Sequence, residues 1–183
     1  DTDWMAQPLQ NQFNHSHSLY VSGGTEGFRF GTDLSYAHEG GVMKDSYRNR
    51  MSVGVFVDYR VGKLQIRNNV SYDISKSSDS PYGSFSDYAY LNPYNRLHDE
   101  DGEMEDSWTG LVTEYNYLKN GLINTRFEDR YTTFTENFYA EYQALQNLRL
   151  TARFGLTKKN SGSEDYYPAG HTNFVSYTGD NLY

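Results

Sequence analysis

The chain has 183 residues, with 16 basic against 24 acidic side chains and a net charge of −8. Acidic residues spread along its length leave no basic stripe for a phosphate backbone, which argues against a nucleic-acid partner. Cysteine is absent, so neither a disulfide framework nor a thiolate metal site can form.

Apolar residues make up only 37% of the chain, yet 16% is aromatic and eighteen residues are Tyr. That loading suits a large two-faced sheet better than a compact helical core. Period-two alternation of apolar and polar side chains predicts six strands. The first covers 15–22, with Leu19 and Val21 against Ser18, Tyr20 and Ser22, and "GGTEG" then supplies a tight turn. In the second, 28–37, Phe28, Phe30, Thr32, Leu34 and Tyr36 oppose Arg29, Gly31, Asp33 and Ser35, and the polar loop "HEGGVMKDS" follows. The third, 49–59, sets Met51, Val53, Val55, Val57 and Tyr59 on one parity, and "RVGK" turns the chain again. The fourth, 64–74, sets Leu64, Ile66, Val70, Tyr72 and Ile74 against Gln65, Arg67, Asn69, Ser71 and Asp73.

From 75 to about 128 the rhythm breaks in a stretch holding Pro81, Pro93, serine runs and "HDEDGEMED". Alternation resumes over 130–145, where Phe134, Phe138, Ala140 and Tyr142 share a parity. After the short link "QNL", Leu148, Leu150, Ala152, Phe154 and Leu156 alternate with Arg149, Thr151, Arg153 and Gly155. Beyond Lys159 the chain reads as a polar loop.

The connections therefore alternate between short and long. This predicts an all-β, antiparallel up-and-down meander with tight turns at one end and large loops at the other, the asymmetry of an outer-membrane barrel. No apolar run approaches the length of a transmembrane helix, and a barrel needs none. Tyr and Phe near the strand ends (Phe28, Tyr36, Tyr59, Tyr72) fit aromatic girdles at two membrane interfaces. The same pattern fits a soluble β-sandwich or barrel, a non-catalytic glycan-binding module with Tyr at its rim.

The stretch "DTDWMAQPLQNQFNHSHSLYVSGGTEGFRFGTDLSYAHEGGVMKDSYRNRMSVGVFVDYRV" resembles the segment entering the barrel of SusC/RagA-type TonB-dependent outer-membrane transporters. The pieces that carry the likeness are Thr2-Asp3-Trp4, His17-Ser18-Leu19 leading to Ser22-Gly23-Gly24, the strand ending at Tyr36, Gly41-Val42 and Asn49-Arg50. "NFYAEYQALQNLRLTARFGLTKKNS" and "LHDEDGE" extend it in the same order along the chain. The resemblance implies a barrel of about twenty-two strands closed around a plug. It would be an active importer of oligosaccharides or peptides in the cell outer membrane, with a SusD-like surface lipoprotein as lid and TonB as energy source. Residues 1–183 would then be a partial barrel of about six strands, without the plug and the TonB-contacting segment.

Catalytic, metal and cofactor chemistry finds little support in these residues. "DEDGEMED", 99–106, clusters carboxylates around Gly102, but a calcium loop needs an oxygen ligand two residues before Asp99, where Leu97 stands. His15 and His17 share a strand face with no third ligand identifiable. No nucleophile elbow or phosphate-cradling Gly-rich loop occurs, so the reading is non-enzymatic, without cofactor or metal. The stretch richest in binding chemistry is "SPYGSFSDYAYLNPYNRLHDE", 80–100, expected to project from the outer end of the fourth strand. Tyr82, Phe85, Asp87, Tyr88, Tyr90, Asn92, Tyr94 and Arg96 are the candidate substrate contacts. Rings stack on cargo while amides and charges satisfy its polar groups. The same tyrosines could instead pack the loop into a cap or meet the lid protein.

Overall fold

The computed structural model of the chain describes residues 1–109 and 113–174. The six alternating segments form one antiparallel sheet in meander order: β1 (His15–Gly24), β2 (Phe28–Gly40), β3 (Tyr47–Val61), β4 (Leu64–Ser78), β7 (Arg126–Leu145) and β8 (Leu148–Tyr166). Between β4 and β7 lie the short helix α1 (Phe85–Ala89), the small hairpin of β5 (Ser107–Thr109) and β6 (Thr113–Tyr115), and the short helix α2 (Leu118–Leu122). A 3₁₀ turn, Thr172–Phe174, follows β8.

Tight connections gather at one end, as the alternation predicts. Thr25 and Phe28 exchange backbone hydrogen bonds between β1 and β2. Gly62 turns the β3–β4 hairpin at φ +55°, a left-handed conformation that glycine adopts without a Cβ clash. Leu145 and Leu148 close the last hairpin beside a bulge at Gln143. The strands run further toward the opposite end than alternation alone marks. β8 continues to Tyr166 through "TKKNSGSEDY", because each of those residues still pairs with β7. Both faces of the sheet are polar there, so the period-two signal fades while the ladder persists.

Register puts whole rows of like character side by side. Leu19, Leu34, Val53 and Tyr72 line up across four strands, as do Phe30 and Val57, and Phe138 and Phe154. On the other parity, Arg29 stands opposite Asp58, Asp58 opposite Arg67, Arg67 opposite Tyr139, and Tyr139 opposite Arg153. Two polar residues interrupt the apolar face: Glu136, between Val70 and Leu156, and Asn68, between Val57 and Phe138.

The apolar parity extends from the row of Val61 and Leu64 to the row of Met51 and Ile74. Ten residues of strand span about 33 Å, or about 25 Å across a bilayer at the usual tilt of about 40°. Within it Leu19, Leu34, Val55, Leu150 and Phe154 remain exposed, and no second layer covers them among the described residues. The buried core sits elsewhere. Trp4, Tyr88, Leu91 and Leu118 form it, flanked by Met43, Tyr82, Leu97, Met104, Trp108 and Tyr117, all outside the six long strands.

Candidate functional site

Four segments distant in sequence converge at the long-loop end and build a cap. Residues 1–13 dock first. The Thr2 amide donates to the Pro93 carbonyl (2.8 Å), the Thr2 hydroxyl to that of Asn95 (2.8 Å), and Trp4 packs edge-on against Trp108 with centroids 5.0 Å apart. Gln10 then ties this arm to the β2–β3 loop, its amide nitrogen donating to the Met43 carbonyl (2.7 Å). The Ser80 hydroxyl donates to the Lys44 carbonyl (2.8 Å) and joins that loop to the β4–β7 connection. On the far side, Asn120 brackets Thr172, donating to its hydroxyl (2.9 Å) and accepting its amide (3.0 Å). Asn116, fully buried, donates to the Glu105 carbonyl (2.8 Å) and accepts the Leu118 amide (3.2 Å), so its amide group stands in for missing backbone pairing.

Local sequence explains the cap's shape. Ser84 begins α1 as an N-cap, and Asp87 reaches back to accept the Ser84 amide (2.9 Å), a reciprocal capping box. Asn92-Pro93-Tyr94-Asn95 is a turn with Pro at its second position. The Asn95 amide donates to the Asn92 carbonyl (3.0 Å), and the Asn92 side chain accepts the Tyr94 amide (3.1 Å).

The eight candidate contacts consequently divide. Tyr88 is 1% exposed, its hydroxyl donating to the Tyr82 carbonyl, and burial raises its pKa well above the ordinary tyrosine value. Tyr82 is partly buried over Gly121, its pKa raised by burial and then by the Asp45 carboxylate. Asp87 is occupied in capping, and Asn92 shapes the turn. Arg96 gives its carbonyl to the Trp108 indole (3.1 Å), while its guanidinium stays in solvent 4.0 Å from Glu100. Three rings face outward: Phe85, Tyr90 at 86% exposure and Tyr94 at 78%. Phe13, Met5 and Val42, which the sequence reading passed over, are exposed too. In "DEDGEMED", Asp99 accepts the amides of Asp101 (2.9 Å) and Glu103 (2.8 Å), so its carboxylate organises a turn.

Beneath the cap, the polar parity of the sheet lines a hollow of about 1020 Å³ toward the short-turn end. The Tyr139 ring lies between two guanidiniums, Arg67 at 5.7 Å and Arg153 at 5.5 Å. Its hydroxyl donates to Glu141 (2.5 Å), which Arg149 approaches at 3.5 Å. Asp58 accepts from Gln65 (3.1 Å) and lies 3.3 Å from Arg67. Tyr20 stacks on Phe56 at 6.4 Å, and the Phe56 ring covers Gly31. The wall thus offers fixed charges, amides and aromatic faces to a watery interior, and its exposed ion pairs add little stability.

No family model matches the chain, and no curated protein matches it. Among solved structures the fold is similar to chains described as the RagAB peptide transporter, at TM-score 0.68 and 18% identity over 89% of this chain. The same likeness holds for the RagAB peptide importer in its closed-closed state (0.67, 18%, 89%) and its open-open state (0.67, 17%, 88%). This chain spans about one fifth of those chains, 20%, 20% and 19% in turn. The shared feature is the antiparallel meander sheet, and the likeness establishes a fold in common.

Proposed function

We propose that the chain is a stretch of barrel wall, with its outer loops, from a TonB-dependent outer-membrane importer of the SusC/RagA type. The observation that carries this reading is the sheet itself: an apolar parity about 25 Å tall, uncovered, backed by a charged parity that lines a hollow. A sandwich would press that apolar face against a second sheet, and the other sheet among the described residues, the two-stranded β5–β6 hairpin, belongs to the cap. The cargo is an oligomeric nutrient. Oligosaccharides match the exposed aromatic and amide groups of the cap, and peptides match the cargo named for the similar structures. A SusD-like surface lipoprotein would close over the cap, and TonB would act through a segment outside these residues.

Membrane-phase labelling tests the reading. In the full barrel, a Cys at Val55 should react with a bilayer-soluble thiol reagent, and a Cys at Arg153, exposed on the opposite parity, should react with a water-soluble one. A Val55 site shielded from the bilayer reagent would overturn the lipid-facing assignment.

A further inference from the structure

The apolar parity changes character abruptly at the long-loop end. One row across β2, β3, β4 and β7 reads His38, Asn49, Lys76 and Arg130, with His15 opposite His38 on β1. Every side chain in it can donate a hydrogen bond, and none is acidic. The row next to it toward the short-turn end is Tyr36, Met51, Ile74 and Thr132, still apolar at three of four positions. Lys158, opposite Phe134, lies four residues deeper along β8 than Gly162, the partner of Arg130. Its stem carries the ammonium outward over part of that distance, about 13 Å of strand.

On this face acids stand in the next row outward, where both are already engaged, and at Glu136, one row inside Lys158. Glu128 lies 2.9 Å from Lys76, and Glu164 lies 3.7 Å from Arg126. Arg130 and Lys158 have no carboxylate within ion-pair distance among the described residues. In a chain of net charge −8, a row of bases bordering an apolar band is a local reversal of the prevailing sign. Tyr36 stands in the row directly below it and Tyr72 one row further in, where aromatic side chains meet headgroups.

We propose that this row docks the phosphate groups of lipid headgroups in the leaflet at the long-loop end, with Arg130 and Lys158 as its principal contacts. Arg130 offers a planar fork that matches phosphate oxygens, and Lys158 adds a mobile point charge. The imidazoles of His15 and His38, stacked at 5.4 Å, extend the donor row toward β1. The inference rests on the lipid-facing assignment of this parity.

The test compares the full barrel carrying this chain with its R130Q/K158Q variant, both purified in neutral detergent. Each is titrated with phosphatidic acid, with phosphatidylcholine or with inorganic phosphate, and thermal unfolding reports binding by linkage. Phosphatidic acid should raise the unfolding temperature of the native protein more than phosphatidylcholine does, and inorganic phosphate should leave it unchanged. The double variant should need roughly thirtyfold more phosphatidic acid for the same shift, since each basic residue near an anionic surface contributes about fivefold. Equal response of both proteins to phosphatidic acid would overturn the proposal. So would equal shifts from the two lipids, or a shift from inorganic phosphate that matches the lipid's. A protein that stays monodisperse without detergent would instead overturn the membrane reading itself.

Discussion

Trp4 and Trp108 meet edge to face, 5.0 Å apart, and join the arm before β1 to the hairpin between β4 and β7. Trp4 is 3% exposed, the largest side chain of the cap core, and it comes from a segment with no regular secondary structure. Burial of that ring adds to the backbone bonds of Thr2 to Pro93, Gln10 to Val42 and Lys44 to Pro8 in holding the arm down. Trp4→Ala should weaken the cap by about 3–5 kcal/mol, the usual loss for a buried Trp. Because the long ladders of the sheet do not depend on it, the loss should be local. Hydrogen exchange should accelerate at residues 1–13 and around Trp108 while β2, β3 and β4 stay protected. Unchanged exchange in the arm would contradict this.

Gly31 and Phe56 face each other across β2 and β3, and the Phe56 ring fills the space where a Cβ on Gly31 would sit, 2.3 Å away. Gly31→Ala should cost about 1–3 kcal/mol through overpacking. Removing the ring should relieve the clash, so Phe56→Ala and Gly31→Ala should be less than additive in a double-mutant cycle. Additive losses in denaturant unfolding would show that the ring moves aside freely.

The sheet was legible in the sequence because each strand keeps one wet and one dry face over many residues. Leu34, Val53 and Val55 on one side, and Asp33, Gly54 and Arg67 on the other, follow from parity alone. Glu136 and Asn68 are polar residues on the apolar parity, and the register sets them beside Val70 and Phe138. The strand ends beyond the band, such as 157–166, carried no alternation because both faces are polar there. The cap was less legible. The capping pair Ser84 and Asp87 announces α1 locally, but nothing near Trp4 in sequence points to Trp108. The division of Tyr88 from Tyr90 likewise depends on that long-range packing.

His171 is nearly buried, packed at 4.9 Å against the Tyr167 ring and 6.4 Å from Phe174. Burial lowers its pKa below the ordinary histidine value of 6.5. Its Nδ1 accepts the Asn173 amide (3.1 Å), which fixes the proton of the neutral ring on Nε2. With the folded pKa below the unfolded one, the stabilising contribution is complete above about pH 6.5 and declines as pH falls through the folded value. Exchange at the Thr172 amide, which is bonded to Asn120, should therefore accelerate relative to the sheet when pH drops below about 6.5. His171→Gln keeps an acceptor for Asn173 and cannot titrate, so it should abolish that dependence. A pH response that survives in this variant would assign it to another group.

Tyr88 and Tyr90 stand two residues apart and face opposite ways, which separates packing from recognition. Tyr88→Phe removes only the hydroxyl bonded to the Tyr82 carbonyl, and should cost about 0.5–1.5 kcal/mol of cap stability with no direct effect on ligands. Tyr90 and Tyr94 contribute almost nothing to the core, so changing both to Ala should leave unfolding within about 0.5 kcal/mol of the native value. If their rings stack on cargo, each should contribute about 0.5–1.5 kcal/mol to binding, and the double variant in the full transporter should bind roughly 5- to 150-fold more weakly. If they meet the surface lipoprotein instead, the same variant should bind cargo normally and lose that partner during purification. Retention of both cargo and partner would remove Tyr90 and Tyr94 from the binding surface and leave Phe85, Phe13 and Val42 as the exposed apolar groups to test.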